Sequence, residues 1–181
     1  FTGVLLWIIG LAVPITATYI IAAVIAAPAL TKLGVPDYAA HMFIFYYALL
    51  SEVSPPTALS PFAAAAITGG DPFRTTMMAW KYAITAFLIP FTFTILPAGR
   101  ALLLHFEGLG MTEGIWTVLM AFLGIGFLAS GCSGWLLTRS TVLERTISVI
   151  GALSFIYPSR YADIVGFGSL FLVVIMQKMR K

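Results

Sequence analysis

Between residues 49 and 62 the chain reads LLSEVSPPTALSPF. A carboxylate, Glu52, stands among Ser51, Ser54 and Thr57 around the pair Pro55-Pro56, in the middle of an apolar run. Proline has no N–H, so it cannot bond to the carbonyl four residues back. Pro55 is expected to free the carbonyl of Ser51, Pro56 that of Glu52, and Pro61 that of Thr57. A bare carbonyl is costly in hydrocarbon, so a broken backbone survives there only inside protein or against a polar cavity. Carbonyls and small hydroxyls together form a hard-oxygen environment, which suits Na+ better than a soft metal. A half-helix starting near Pro56 would aim its positive end at the same spot, which suits a carboxylate substrate. The alternative is a proline kink that only shapes packing. An acid within a membrane span is a functional candidate by default. Glu52 would balance a cation, titrate, or lie near an aqueous cavity or a pairing neighbour.

A second interruption precedes it. GLAVPITATYI, residues 10 to 20, combines Gly10 and Pro14 as breakers with Thr16 and Thr18 as hydroxyl donors of oxygen. Pro14 should free the carbonyl of Gly10, and a hairpin tip here would bring a second set of oxygens to membrane depth; an ordinary kinked span is the other reading. Two such breaks meeting near the midplane is a common way of building a secondary-transporter site. The expected ion ligands are therefore Gly10, Thr16, Thr18, Ser51, Ser54 and Thr57. Pro14, Glu52, Pro55 and Pro56 are expected to shape the substrate path or its gate.

Other chemistry is poorly supplied. The single cysteine, Cys132, rules out an internal disulfide and reads as a packing residue. His41 lies eleven residues before Glu52, about 16 Å along a helix, too far to share a metal or a proton. It reads as an interfacial residue. Nothing resembles a nucleophile elbow or an HExxH metal helix. No enzyme activity and no cofactor is expected, only Na+ as a coupling ion.

The elements that must hold these residues are membrane helices. Of 181 residues, 60% are hydrophobic and 9% charged, against roughly 25% charged in soluble domains. Apolar runs cover Val4–Leu30, Tyr38–Gly70, Thr75–Pro97 and Thr117–Leu137, followed by two shorter ones, Ile147–Tyr157 and Ala162–Met176. About 20 apolar residues cross a bilayer core. The last two runs are expected to be tilted, short or partly re-entrant. No strand-like alternation competes, so the fold class is an all-α polytopic membrane protein. It would contain a re-entrant hairpin and a discontinuous helix. Asp37 after Pro36 and Asp71 before Pro72 read as helix starts. The small-residue stretch GIGFLASGCSG, residues 124 to 134, predicts close helix packing. The alanines at 63 to 66 predict a packed or sliding surface. Trp80, Tyr82, Trp116 and Trp135 fit interfacial belts.

Lys32, Arg100 and Arg160 fall on one side of this arrangement. Arg74, Lys81, Arg139, Arg145, Lys178, Arg180 and Lys181 fall on the other. The excess places that second side, with the C-terminus, in the cytoplasm. The net charge of +3 follows this topology rather than any nucleic-acid partner. The chain opens on Phe1, already within an apolar run, and reads as the C-terminal piece of a longer protein.

These motifs resemble a known family. The pieces are G-x-x-x-P-x-T-A-x-Y from Gly10, A-A-H-M-F-x-F-Y from Ala39, S-P-P at Ser54, and A-A-A-A-I-x-G-x-D-P from Ala63. Residues 10 to 93 resemble the large membrane subunit of tripartite ATP-independent periplasmic (TRAP) transporters, more closely the fused permeases that work with TAXI-class receptors. The stretch LERTISVIGALSFIYPSRYADIVGFGSLFLVVIMQ, residues 143 to 177, resembles their C-terminal extension. Leu11-Ala12, Ile15 and Thr57 depart from the family pattern.

The resemblance implies sodium-driven uptake of small organic acids. A periplasmic TAXI-type solute-binding protein would deliver them, and an elevator motion would carry them across the bacterial inner membrane. It implies a small membrane subunit fused upstream. It also implies a hairpin tip lined by Gly10, Pro14, Thr16 and Thr18, and a helix break lined by Ser51, Ser54, Pro55, Pro56 and Thr57. Residues 1–98 would then form the C-terminal half of a transport core, and 99–181 a transmembrane extension. Two other readings remain at this point: a symporter of the wider ion-transporter group that takes dicarboxylates without a receptor, and a membrane scaffold with no transport path.

Overall fold

A computed structural model describes residues 1–106 and 108–180; Lys181, counted above among the cytoplasmic charges, lies outside them. The described residues form helices and no strand. In chain order these are α1 (Thr2–Gly10), α2 (Ile15–Lys32), α3 (Asp37–Ser51), α4 (Leu59–Thr68), α5 (Pro72–Ile95), a 3-10 helix (Pro97–Leu103), α6 (Met111–Ser133), α7 (Val142–Ile156) and α8 (Arg160–Met179). Among them α2, α5, α6 and α8 are long and apolar enough to cross a membrane. The protein is thus a multi-pass helical membrane protein. The last apolar run forms α8, whose 20 residues suffice for a span; α7, with 15, is shorter. The chain folds as two compact units, Phe1–Thr94 and Ile95–Lys181.

In the first unit, α1 and α2 form a helical hairpin against α3. The direction follows from contacts. Gly3 lies against Phe43 and Tyr47, and Gly10 against Ser51, so α1 runs the same way as α3. In α2, Tyr19 reaches back to Phe45 and His41, so α2 returns along α3 in the opposite sense. The hairpin tip, residues 11–14, therefore sits beside the C-terminal end of α3. Helix α3 packs on α5 through aromatic edges, Phe43 on Phe91 and Tyr46 on Phe93. The Tyr47 hydroxyl adds a hydrogen bond to the Phe87 carbonyl (3.1 Å). Offset aromatic pairs of this kind are worth about 0.5–1.5 kcal/mol beyond their area.

Local signals explain most helix ends, with corrections. Asp71 caps α5 as expected: its carboxylate accepts from the Arg74 N–H at 2.7 Å. Asp37 does not cap α3. Pro36 takes that place, and Asp37 is the first helical residue, with its carboxylate 3.7 Å from His41 Nε2. Carboxylates are favoured there by the helix dipole rather than by a cap bond. The alanine run is also corrected. Ala65 is buried, but Ala63, Ala64 and Ala66 are exposed, because one face of a helix cannot hold four consecutive residues. Trp80 and Tyr82 sit two to three turns inside α5, not at its end.

In the second unit, α6, α7 and α8 pack through small residues, as the glycine-rich stretch predicted. A Cβ added at Gly124 would lie 3.0 Å from the Phe155 Cβ and 3.1 Å from the Ala152 carbonyl. One added at Gly166 would lie 2.8 Å from the Phe155 ring. Small residues let membrane helices approach at backbone distance. The opposite end of this unit is tied by Gln177, which is fully buried. Its Oε1 accepts from the N–H groups of Leu137 (3.0 Å) and Thr138 (3.2 Å), and its Nε2 donates to Ser140 Oγ (3.0 Å). Beside it, Glu144 forms a capping box with Thr141 and lies 3.3 Å from the Arg180 guanidinium. Arg145 donates to the carbonyls of Gly131 (2.9 Å) and Cys132 (3.0 Å), capping the end of α6.

Candidate functional site

The two interruptions read from the sequence meet in space. Where α1 ends and α3 ends, the backbones approach so closely that a Cβ on Gly10 would overlap Ser51 Oγ and lie 2.6 Å from the Ser51 Cβ. The Thr18 methyl would be 3.4 Å away. Gly10, Thr18 and Ser51 thus come together from three helices. Ser54 is buried in the segment that follows.

The buried hydroxyls share one feature. Thr18 Oγ1 donates to the Val13 carbonyl (2.9 Å), strapping the hairpin tip. Ser51 Oγ donates to the Ala48 carbonyl (2.7 Å), and Ser54 Oγ to the Leu50 carbonyl (2.7 Å). A hydroxyl has one proton and two lone pairs. With the proton committed to the backbone, each oxygen can only accept a hydrogen bond or coordinate a cation.

The backbone between α3 and α4 departs from expectation in one respect. The Ser51 carbonyl is not free; it accepts from the Ser54 N–H at 3.1 Å. After Ser51 the chain tightens to i→i+3 bonds, with Glu52, Val53 and Ser54 donating to Leu49, Leu50 and Ser51. This recovers the carbonyl that Pro55 would have orphaned. The carbonyls of Glu52 and Thr57 accept no hydrogen bond among the described residues, and neither do those of Val53, Pro55 and Pro56. At the hairpin tip the carbonyls of Gly10, Leu11 and Ala12 are likewise unbonded.

The second half-helix starts later than Pro56. The Pro55-Pro56 bond is cis, Ala58 takes a left-handed conformation (φ 36°), and α4 begins at Leu59. Ala58 is fully buried and receives the Phe62 N–H on its carbonyl.

The remaining sequence candidates fall around this centre. Glu52 is half-buried and accepts a hydrogen bond from Ser60 Oγ at 3.1 Å. Thr57 and Pro55 are half-buried, while Pro56 and Pro14 are exposed. Thr16 is exposed too, because two positions along a helix turn it away from Thr18. It is not brought together with the buried hydroxyls. His41 is hydrogen-bonded to the Tyr19 hydroxyl at 2.9 Å, well down α3 from the break. Among the described residues no cluster of His, Cys, Asp and Glu could hold a metal. Any cation here would depend mainly on hydroxyl and carbonyl oxygens.

The family described as tripartite ATP-independent periplasmic transporter, DctM component, matches residues 1–98. The chain belongs to this family. The match takes in both interruptions, the hairpin α1–α2 and the break between α3 and α4. The DctM family is a membrane component of a transporter, so the convergent oxygens belong to a transport protein. No curated protein and no solved structure matches the chain.

Sequence reasoning did not find Gly10 as the point of contact with Ser51. Its signal was a glycine just before a proline break, which equally suits a flexible tip. It also passed over Gln177 and Glu144, since one amide and one acid near a basic terminus carry no distinguishing pattern.

Proposed function

We propose that this chain supplies one half of the ion and substrate region of a sodium-coupled TRAP permease of the TAXI type. It takes up small organic acids that a periplasmic solute-binding protein delivers. It works in the bacterial inner membrane with its C-terminus in the cytoplasm, alongside a small membrane subunit fused upstream. Residues 1–98 carry the transport function and 99–181 form a transmembrane extension. Transport is by symport, without covalent catalysis.

The observation that carries this reading is the meeting of two helix breaks at Gly10, Thr18 and Ser51. The buried hydroxyl oxygens there have no proton left to offer. Na+ is a hard cation that takes neutral oxygens, and unwound carbonyls in transporters are suited to coordinate it. Glu52, Thr57 and the unbonded loop carbonyls lie in the segment that directly follows Ser51.

The test is sodium-driven uptake by the full-length transporter in proteoliposomes, with its receptor. Ser54→Ala and Thr57→Val are expected to raise the sodium concentration for half-maximal uptake, by about tenfold for loss of a ligand worth about 1.4 kcal/mol. Replacing both Pro55 and Pro56 by Ala is expected to heal the break and abolish uptake. Thr16→Val, on the exposed side of α2, is expected to leave the sodium dependence unchanged. Unaltered sodium dependence in both the Ser54 and Thr57 variants would remove these residues as ligands. Unchanged uptake without the two prolines would overturn the site itself.

A further inference from the structure

The second unit, almost all of it beyond the matched residues, holds an open cavity of about 630 Å³ lined by the 3-10 helix, α6, α7 and α8. That volume is within the range of ligand sites, roughly 300–1,000 Å³. Its lining is graded along the helix axes. Glu113 lies in the first turn of α6, and Arg160 and Asp163 lie in the first turn of α8. Met120 and Phe167 lie about two turns deeper, beside Phe155. Both α6 and α8 are apolar enough to span a bilayer. The charged end therefore sits at the depth of lipid headgroups and the apolar end at the depth of acyl chains.

The charges at the mouth are mixed and only partly committed. Arg160 and Glu113 are 3.8 Å apart, with side chains 88% and 58% exposed, so their pairing is weak and open to a competitor. Asp163 is buried, with 7% of its surface exposed. Its Oδ2 accepts from the Trp116 indole N–H at 2.8 Å, and its Oδ1 has no hydrogen-bond partner among the described residues. Asp163 lines the cavity, and a carboxylate oxygen with no partner can take a further donor there.

We propose that the cavity holds one phospholipid with a primary ammonium headgroup. The ammonium meets Asp163 and Glu113, the phosphate meets Arg160, and an acyl chain lies against Met120, Phe155 and Phe167. A guanidinium suits phosphate, and a primary ammonium supplies N–H donors that the two carboxylates can still accept. An anionic glycerol headgroup would set its charge against two carboxylates with no cation to offer them. The proposal is independent of the sodium site in the first unit.

The experiment uses the full-length transporter purified in mild detergent from membranes of equal phosphatidylethanolamine and phosphatidylglycerol content. Native mass spectrometry is expected to show one retained phosphatidylethanolamine, at least fivefold over phosphatidylglycerol. Ala98→Phe, which places a ring in the cavity, is expected to abolish that retention. Glu113→Gln with Asp163→Asn is expected to bring the ratio towards one. Quenching by acyl-brominated lipids is the second measurement. The fluorescence lost on Trp116→Phe should be quenched at a several-fold lower mole fraction of brominated phosphatidylethanolamine than of brominated phosphatidylglycerol. Equal retention of the two lipids would overturn the proposal, as would retention unaffected by Ala98→Phe. Quenching of Trp116 by a water-soluble quencher but not by either lipid would show a water-filled cavity and overturn it as well.

Discussion

One added methyl group, Gly10→Ala, probes the meeting of the two helix breaks. The new Cβ would stand 2.6 Å from the Ser51 Cβ, where carbon atoms prefer about 3.8 Å. The helices must therefore part by about 1.2 Å. Rotating the Ser51 hydroxyl does not help, because the clash is with the atom fixed to the α3 backbone. Two effects oppose each other. Alanine is favoured over glycine in a helix by about 1 kcal/mol, while overpacking costs about 1–3 kcal/mol. Overpacking wins, so net destabilisation of up to about 2 kcal/mol is expected. The assay is thermal unfolding of the purified full-length transporter, with sodium-driven uptake measured in parallel. Gly126→Ala is the control, since nothing lies within 4 Å of a Cβ there; it is expected to stabilise slightly. Adding Ser51→Gly removes the obstructing atoms and should recover most of the loss, a coupling of about 0.5–3 kcal/mol in the double-mutant cycle. If Gly10→Ala were as stabilising as Gly126→Ala, α1 and α3 would not approach as described, and the shared oxygen site would fail with them.

Two further outcomes bear on the two units separately. Ala58→Val places a β-branched residue at φ 36° in a fully buried position, a conformation such residues avoid. It is expected to destabilise by at least about 1–3 kcal/mol; an unshifted melting temperature would mean the loop relaxes freely. Gln177→Leu strands the N–H groups of Leu137 and Thr138, at a cost of about 1–3 kcal/mol for a buried donor. Their amides should exchange faster with deuterium, and unchanged exchange would show that another acceptor serves them.

Proline made much of the site legible. The absence of an N–H at Pro14, Pro55, Pro56 and Pro61 is a covalent fact, and it located both breaks and the unbonded carbonyls of Gly10, Glu52 and Thr57 without coordinates. Apolar run length likewise pointed to α2, α5 and α6 as spans, because bilayer thickness sets helix length, whereas α8, expected to be tilted, short or partly re-entrant, is long enough to cross. The misjudged points were those where the backbone had a second option. At Ser51 a tighter turn recovered the carbonyl, and at Ala58 a left-handed residue delayed the next helix. Neither is encoded by residue type alone, since serine and alanine both adopt ordinary helix more readily.

The sequence by itself determined that this is a multi-pass helical protein with two interrupted segments, since proline chemistry and hydrocarbon thickness act locally along the chain. Only the tertiary structure decided that the interruptions face one another, that Thr18 turns inward while Thr16 turns out, and that Gly10 is the contact. Those outcomes depend on which helix packs on which. Such packing rests on contacts between residues far apart in the chain, and no local pattern records them.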